Sequence, residues 1–186
     1  MARAPRDTAA GLFHVTIHSV WTGELFHDDV DRIEFLRELA VAVSDYLIEC
    51  VFYCLMGTHA HFIFGVGDGA LPAAMQQLNT RYACRFNQRH DLRGHVFSGR
   101  YGATRIHDDA QLEVTFAYDA NNPPKAGMCG SAAAWRWSSY RGTVGLCEQA
   151  SFVDDSRILQ LFGGRREIAI PRLRSFVEGI EPPPGM

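Results

Sequence analysis

The order in which extended and helical patterns follow one another is the strongest constraint on this chain. In 13–20, Phe13, Val15 and Ile17 alternate with His14, Thr16 and His18, the period of a strand with one buried face. Asp28 to Asp31 carry helix-start signals, and Ile33, Leu36, Leu39, Ala40 and Val43 follow at helical spacing, which predicts a helix over 30–45. Residues 47–56 read as a buried strand, Gly57-Thr58 as a turn and 59–66 as its antiparallel partner. Met75, Leu78, Tyr82 and Phe86 place a long helix over 72–89. Two short strands around Ser98-Gly99 are expected within 95–106. A helix over 108–121 follows, capped by Asp108 with Gln111 three residues on and stopped by Pro123-Pro124. The order β-α-β-β-α-β predicts an α+β, ferredoxin-like sandwich: an antiparallel sheet with helices on one face.

The remainder reads as a short C-terminal helical extension. Residues 127–145 are irregular, 155–162 form a short helix closed by Gly163-Gly164, 171–178 a last helix, and 181–186 a loose tail. We therefore divide the 186 residues into a main domain, 1–145, and an extension with its tail, 146–186. A hydrophobic fraction of 47% with 21% charged residues excludes wholesale disorder. The greasiest stretch, 39–56, is interrupted by Ser44, Asp45 and Glu49, so no membrane span is expected. Residues 1–10 lack an apolar run of the signal-peptide kind, and a cytoplasmic protein is expected. Cys50, Cys54, Cys84, Cys129 and Cys147 form no CxxC pair and read as reduced, mostly buried thiols.

Charge is segregated along the chain. The formal net charge is −3, yet 69–107 holds six arginines against Asp91 alone, while the first 68 residues hold four arginines against ten acids. Arg81, Arg85 and Arg89 recur at i, i+4 and i+8 on the 72–89 helix. Such a stripe is either a solvated helix face or a phosphate-facing surface.

Two further groups could carry chemistry. His59 and His61 leave the same face of one strand with Cα atoms about 6.6 Å apart. They are either two solvent-facing histidines or two ligands of one divalent cation. Tyr118 lies about 200° around its helix from Phe116, away from the apolar stripe, and Asn122 falls one turn further on. The tyrosine either packs under a loop or stands beside a His-His-Asn site that could help its hydroxyl act as a nucleophile.

Taken in order, these landmarks resemble the IS200-like single-tyrosine transposases, especially the subgroup associated with repetitive extragenic palindromes (REP). The matching segments are Phe13-His14-Val15-Thr16, Leu25 to Arg32 with Phe35-Leu36, Cys54-Leu55-Met56 before His59-Ala60-His61, and Phe86-Asn87. Gly94 to Phe97, Gly99-Arg100-Tyr101, Tyr118 to Pro123, Ala126-Gly127 and Trp137 to Tyr140 continue the series, and 158–163 with 175–177 look like the subgroup's C-terminal extension. One position and one segment depart: Thr58 stands where the group commonly has Asn, and Ile17-His18-Ser19-Val20 replaces a segment that usually carries an Arg.

The resemblance implies a single-strand DNA nuclease and strand transferase of the HUH type, named for its pair of metal-binding histidines around a hydrophobic residue. His59 and His61 would hold Mg²⁺ or Mn²⁺, Asn122 falls at the third-ligand position, and Tyr118 would form a 5′-phosphotyrosine intermediate. Arg81, Arg85, Arg89, Arg100 and Arg105 would hold the backbone of a DNA hairpin, with Tyr101 stacking on unpaired bases. The subgroup implies a monomer, insertion-sequence relatives a homodimer, and either a nucleoid-associated location. Two other classes remain open: a domesticated, non-catalytic hairpin-binding protein, and a metal-dependent hydrolase of small phosphoesters that does not use Tyr118.

Overall fold

A computed structural model describes residues 8–20 and 23–179. Four strands form one antiparallel sheet: β1 (Gly11–His18), β2 (Glu49–Leu55), β3 (His59–Val66) and β4 (Gly102–Ile106), in the spatial order β2-β3-β1-β4. Alternation sets which side chains each face carries. Phe13, Val15 and Ile17 of β1 and Ala60, Phe62, Phe64 and Val66 of β3 are buried on one face. Two long helices cover that face, α1 (Asp29–Asp45) through Phe35 and Leu39, and α2 (Ala70–His90) through Leu71, Met75, Leu78 and Tyr82. Each such side chain stabilises the fold by roughly 1.5–3 kcal/mol on burial, more than most surface ion pairs.

The α+β class and the expected element order hold, and the opposite face is partly covered too. There α3 (Asp109–Ala120) sets Leu112 and Phe116 against Phe52, Ile63 and Ile106. Two later helices, α6 (Ser156–Leu161) and α7 (Arg166–Gly179), pack behind α3 through Ile158, Leu159, Leu173 and Val177. These helices thus lie on the face that the one-sided reading left bare. The cause is α3, which leaves β4 and turns back across the second face.

Caps set several boundaries. The Asp28 carboxylate accepts from the amides of Val30 and Asp31 to start α1, and Asp108 accepts from Gln111 N at 2.7 Å to start α3. Pro123 and Pro124 do not simply stop α3. They occupy the first turn of a new short helix, α4 (Asn122–Lys125), where a missing amide hydrogen costs nothing.

Three other expectations need correction. Residues 95–101 make no strand: Ser98 N and Val96 O bond to His18 O and Val20 N, which yields a single bridge from Phe97 to Ser19. The last helix begins before Pro171, because α7 spans Arg166–Gly179. Only Cys50 and Cys54 of the five thiols are buried. The irregular 127–145 segment contains a 3-10 turn at Ala132–Ala134 and the short α5 (Tyr140–Thr143), and its 137–139 backbone pairs with the outer edge of β2. α6 (Ser156–Leu161) matches the expected short helix. The expected tail at 181–186 lies outside the described residues. Among the described residues, no helix is long and apolar enough to cross a membrane.

Candidate functional site

The histidines meet because β1 and β3 are adjacent and in register, with Thr16 opposite His61 and His18 opposite His59. His14, His18, His59 and His61 therefore share one sheet face, the one that α3 crosses. The His59 and His61 rings lie 5.0 Å apart, edge to face, and His18 stacks on His59 at 5.4 Å. Burial, then the neighbouring His61 and His18, pushes the His59 pKa down to about 4. At pH 7 its ring is neutral, with a lone pair free for a cation. Thr58 Oγ1 lies 3.1 Å from His59 Nδ1, so the residue that departs from the family pattern still reaches the first histidine.

The C-terminal end of α3 supplies the rest. Asn121 keeps right-handed backbone angles (φ −89°, ψ −2°), which carries the helical path across the α3–α4 junction from Tyr118 towards Asn122. Asn122 Nδ2 approaches His61 Nε2 at 3.3 Å. The partly buried Tyr118 ring lies 4.5 Å from the Lys125 ammonium. The structure thus brings His59, His61 and Asn122 together and places Tyr118 on the same helix end.

Three contributors were missed by sequence reasoning. Asp119 is fully buried (0% exposed), with Oδ1 3.1 Å from His61 Nδ1 and Oδ2 3.2 Å from His14 Nε2. Both contacts lie off the hydrogen-bond axis, and no other described group donates to either oxygen. Desolvation acts to raise the Asp119 pKa, but the two imidazoles outweigh it and the net shift is downward. A signal was present in the sequence: an acid near a helix C-terminus opposes the helix dipole. His14 could have been found from its shared alternation with His18. Lys125 is the only lysine beside 17 arginines.

The ligand chemistry fits a divalent cation. His59, His61 and the Asn122 amide, which presents Oδ1 on a 180° turn, form a nitrogen–oxygen donor set on a partly open face. The cluster of His14, His61 and Asp119 is a second candidate ligand group. The group of His27, Asp31 and His90 is less suited, because the Arg89 guanidinium already contacts both Asp31 and His90.

The expected DNA-facing residues are not gathered here. α2 packs on the sheet face opposite the histidines. Arg81 and Arg85 pair with Glu38 of α1, Arg85 also with Glu34, and Arg89 with Asp28 and Asp31. The stripe is an interhelical ion-pair ladder. Arg105 donates to the carbonyls of Ala9 and Ala10 and lies over the Phe13 ring at 4.7 Å, also on the far face. Tyr101 is not an exposed stacking platform: it is 6% exposed within the core beneath α2, on the same strand face as Ala103 and Arg105. Arg100 is exposed on the segment entering β4.

Comparison with known proteins shows the family of the chain. The family model described as "Transposase IS200 like" matches residues 12–122, from β1 to Asn122. No curated protein matches the sequence. Among solved structures, a REP-associated tyrosine transposase bound to a REP hairpin is similar at TM-score 0.65 and 15% identity, over 82% of this chain and 90% of that one. A Deinococcus radiodurans R1 protein assigned to the transposases is similar at TM-score 0.45 and 13% identity, over 63% of this chain and 95% of that one. With the matched region spanning the sheet, the histidine pair and the Tyr118 helix end, this chain belongs to the IS200-like transposase family.

Proposed function

We propose that this transposase cleaves and rejoins single-stranded DNA beside a hairpin through a covalent tyrosine intermediate. The observation that carries the reading is the approach of Asn122 to His61 Nε2 beside a neutral His59, with Tyr118 one helical turn away. His59, His61 and Asn122 would hold Mg²⁺ or Mn²⁺, which when bound supplies Lewis-acid polarisation of the scissile phosphate.

The Tyr118 hydroxyl attacks phosphorus in line and releases its proton to solvent. The Tyr118 Oη–P bond forms as the P–O3′ bond breaks, and the leaving 3′-oxygen takes up a proton. The products are a 5′-phosphotyrosine and a free 3′-OH. Attack of a second 3′-OH on the adduct restores Tyr118 and joins strands, with no nucleotide hydrolysis required. Lys125 supports the Tyr118 ring and adds positive charge where a phosphate would approach.

The hairpin preference rests on the REP-bound structural neighbour together with family membership. Arg100 is the residue from the expected set best placed for backbone contact, being exposed and outside the α1–α2 ion-pair ladder. The reading takes the active form as a monomer. Incubation with Mn²⁺ and a pool of labelled single-stranded hairpins tests it. An SDS-stable labelled band, absent in Tyr118→Phe, is the expected result. Hairpin retention in a gel shift with no band would instead favour the non-catalytic binder. Phosphoester turnover that survives Tyr118→Phe would favour the hydrolase.

A further inference from the structure

We propose that Asp119 is a positioning residue that fixes the orientation and tautomer of His61, and that His14 holds Asp119 in place. The inference rests on the proposed metal role of His61. His61 has two ring nitrogens that face different neighbours. Nδ1 faces both Asp119 Oδ1 at 3.1 Å and His14 Nε2 at 3.2 Å, and Nε2 faces the Asn122 amide at 3.3 Å. A neutral imidazole carries one proton. The negative charge of Asp119 beside Nδ1 favours the proton on that nitrogen, which leaves the Nε2 lone pair directed at the Asn122 amide.

The second oxygen of Asp119 is met by His14 Nε2 at 3.2 Å, and the His14 ring lies parallel to that of His61, with centroids 5.4 Å apart and planes within 6°. The His61 ring is thus set by its strand, by a stacked neighbour and by the charge of a buried carboxylate at once.

The same three residues could instead ligate an ion directly. Their placement argues against that role. His14 Nε2, His61 Nδ1 and the Asp119 oxygens are already in mutual contact at 3.1–3.2 Å, and Asp119 has no exposed surface. Asp119, sealed from solvent, gives a substrate phosphate no approach at that point. The location of the acid carries the same message. A carboxylate near the C-terminus of α3 is electrostatically unfavourable as a helix residue and costly to bury. Such departures from local preference concentrate at functional sites.

The test uses the full chain without DNA. Mn²⁺ affinity is measured by electron paramagnetic resonance, and the His61 tautomer by ¹⁵N shifts of histidine-labelled, metal-free protein. Wild type is expected to hold the proton on Nδ1. Asp119→Ala is expected to lose that preference and to bind Mn²⁺ about 10- to 100-fold more weakly. The isosteric Asp119→Asn, which keeps an acceptor oxygen, falls between them and guards against misfolding of the alanine variant.

Adduct formation by Asp119→Ala recovers as Mn²⁺ is raised, whereas Tyr118→Phe stays inactive. An unchanged His61 tautomer or unchanged Mn²⁺ affinity in Asp119→Ala overturns the positioning role. So does a His14→Gln variant that loses Mn²⁺ as fully as His59→Ala, since that result makes the cluster itself the ligand set. If wild type forms no adduct, the proposed reaction fails, while the tautomer and affinity measurements still decide the role of Asp119.

Discussion

Burial sets the protonation state of His59. Its pKa of about 4 lies below the 6.5 of an unperturbed histidine, so between those values the unfolded chain binds more protons than the folded one. Stability of the metal-free protein is therefore expected to fall as pH drops from about 6.5 towards 4. His18, also shifted down by burial and by His61, adds in the same direction. Thermal melts at pH 7.5 and 5 should show the drop in wild type and a smaller one in His59→Gln; equal drops would remove His59 as its source. Lys125→Ala should slow adduct formation about two- to fivefold, as expected for an exposed cation–ring contact, with Lys125→Arg retaining most of the rate. The histidine pair was legible because a strand's period of two fixes which side chains share a face. Asp119 was not, because its meaning depends on His14, 105 positions earlier in the chain. Tyr101 was misread because the chain entering β4 carries one buried aromatic ahead of exposed Gly102, Ala103 and Thr104.

The pairing of α1 with α2 explains the charge pattern at the scale of elements. Acids crowd the first third of the chain and arginines the middle, but the fold lays one against the other. Segregation in sequence became neutralisation in space, which no single-helix pattern reveals. Glu38, with a side chain 3% exposed, serves both Arg81 and Arg85. Glu38→Ala should cost about 1–2 kcal/mol in urea unfolding, less than a fully buried pair because both guanidinium groups are about half exposed. From the same geometry we expect the arginines to differ in their effect on DNA binding. Arg100→Ala should reduce the salt dependence of DNA binding by about one unit of slope, while Arg81→Ala leaves it unchanged. A reduced slope for Arg81→Ala would return the stripe to the DNA surface.

Across the whole molecule, the C-terminal helices are tied to the candidate site. Asn121 Nδ2 donates to Val177 O at 2.7 Å, one residue before Asn122, and Leu173 and Val177 are buried against the cluster that contains Leu112 and Phe116. The sequence boundary at residue 145 marks a change of pattern, and the packing joins the two sides of it. Leu173→Ala should cost about 2–4 kcal/mol, read as a lowered unfolding midpoint. The element order was legible from periodicity alone. The covering of the second sheet face was not, because α3, α6 and α7 show their buried sides only against one another.

The central claim is that Tyr118 becomes covalently joined to DNA. It is tested most directly by trapping the protein on a single-stranded hairpin with Mn²⁺, digesting with trypsin and nuclease, and weighing the peptide 106–125. That peptide contains Tyr118 as its only tyrosine. The expected result is a mass increase equal to a 5′-phosphonucleotide, with fragmentation placing it on Tyr118. An adduct on any other peptide, or DNA cleavage with peptide 106–125 unmodified, would contradict the account.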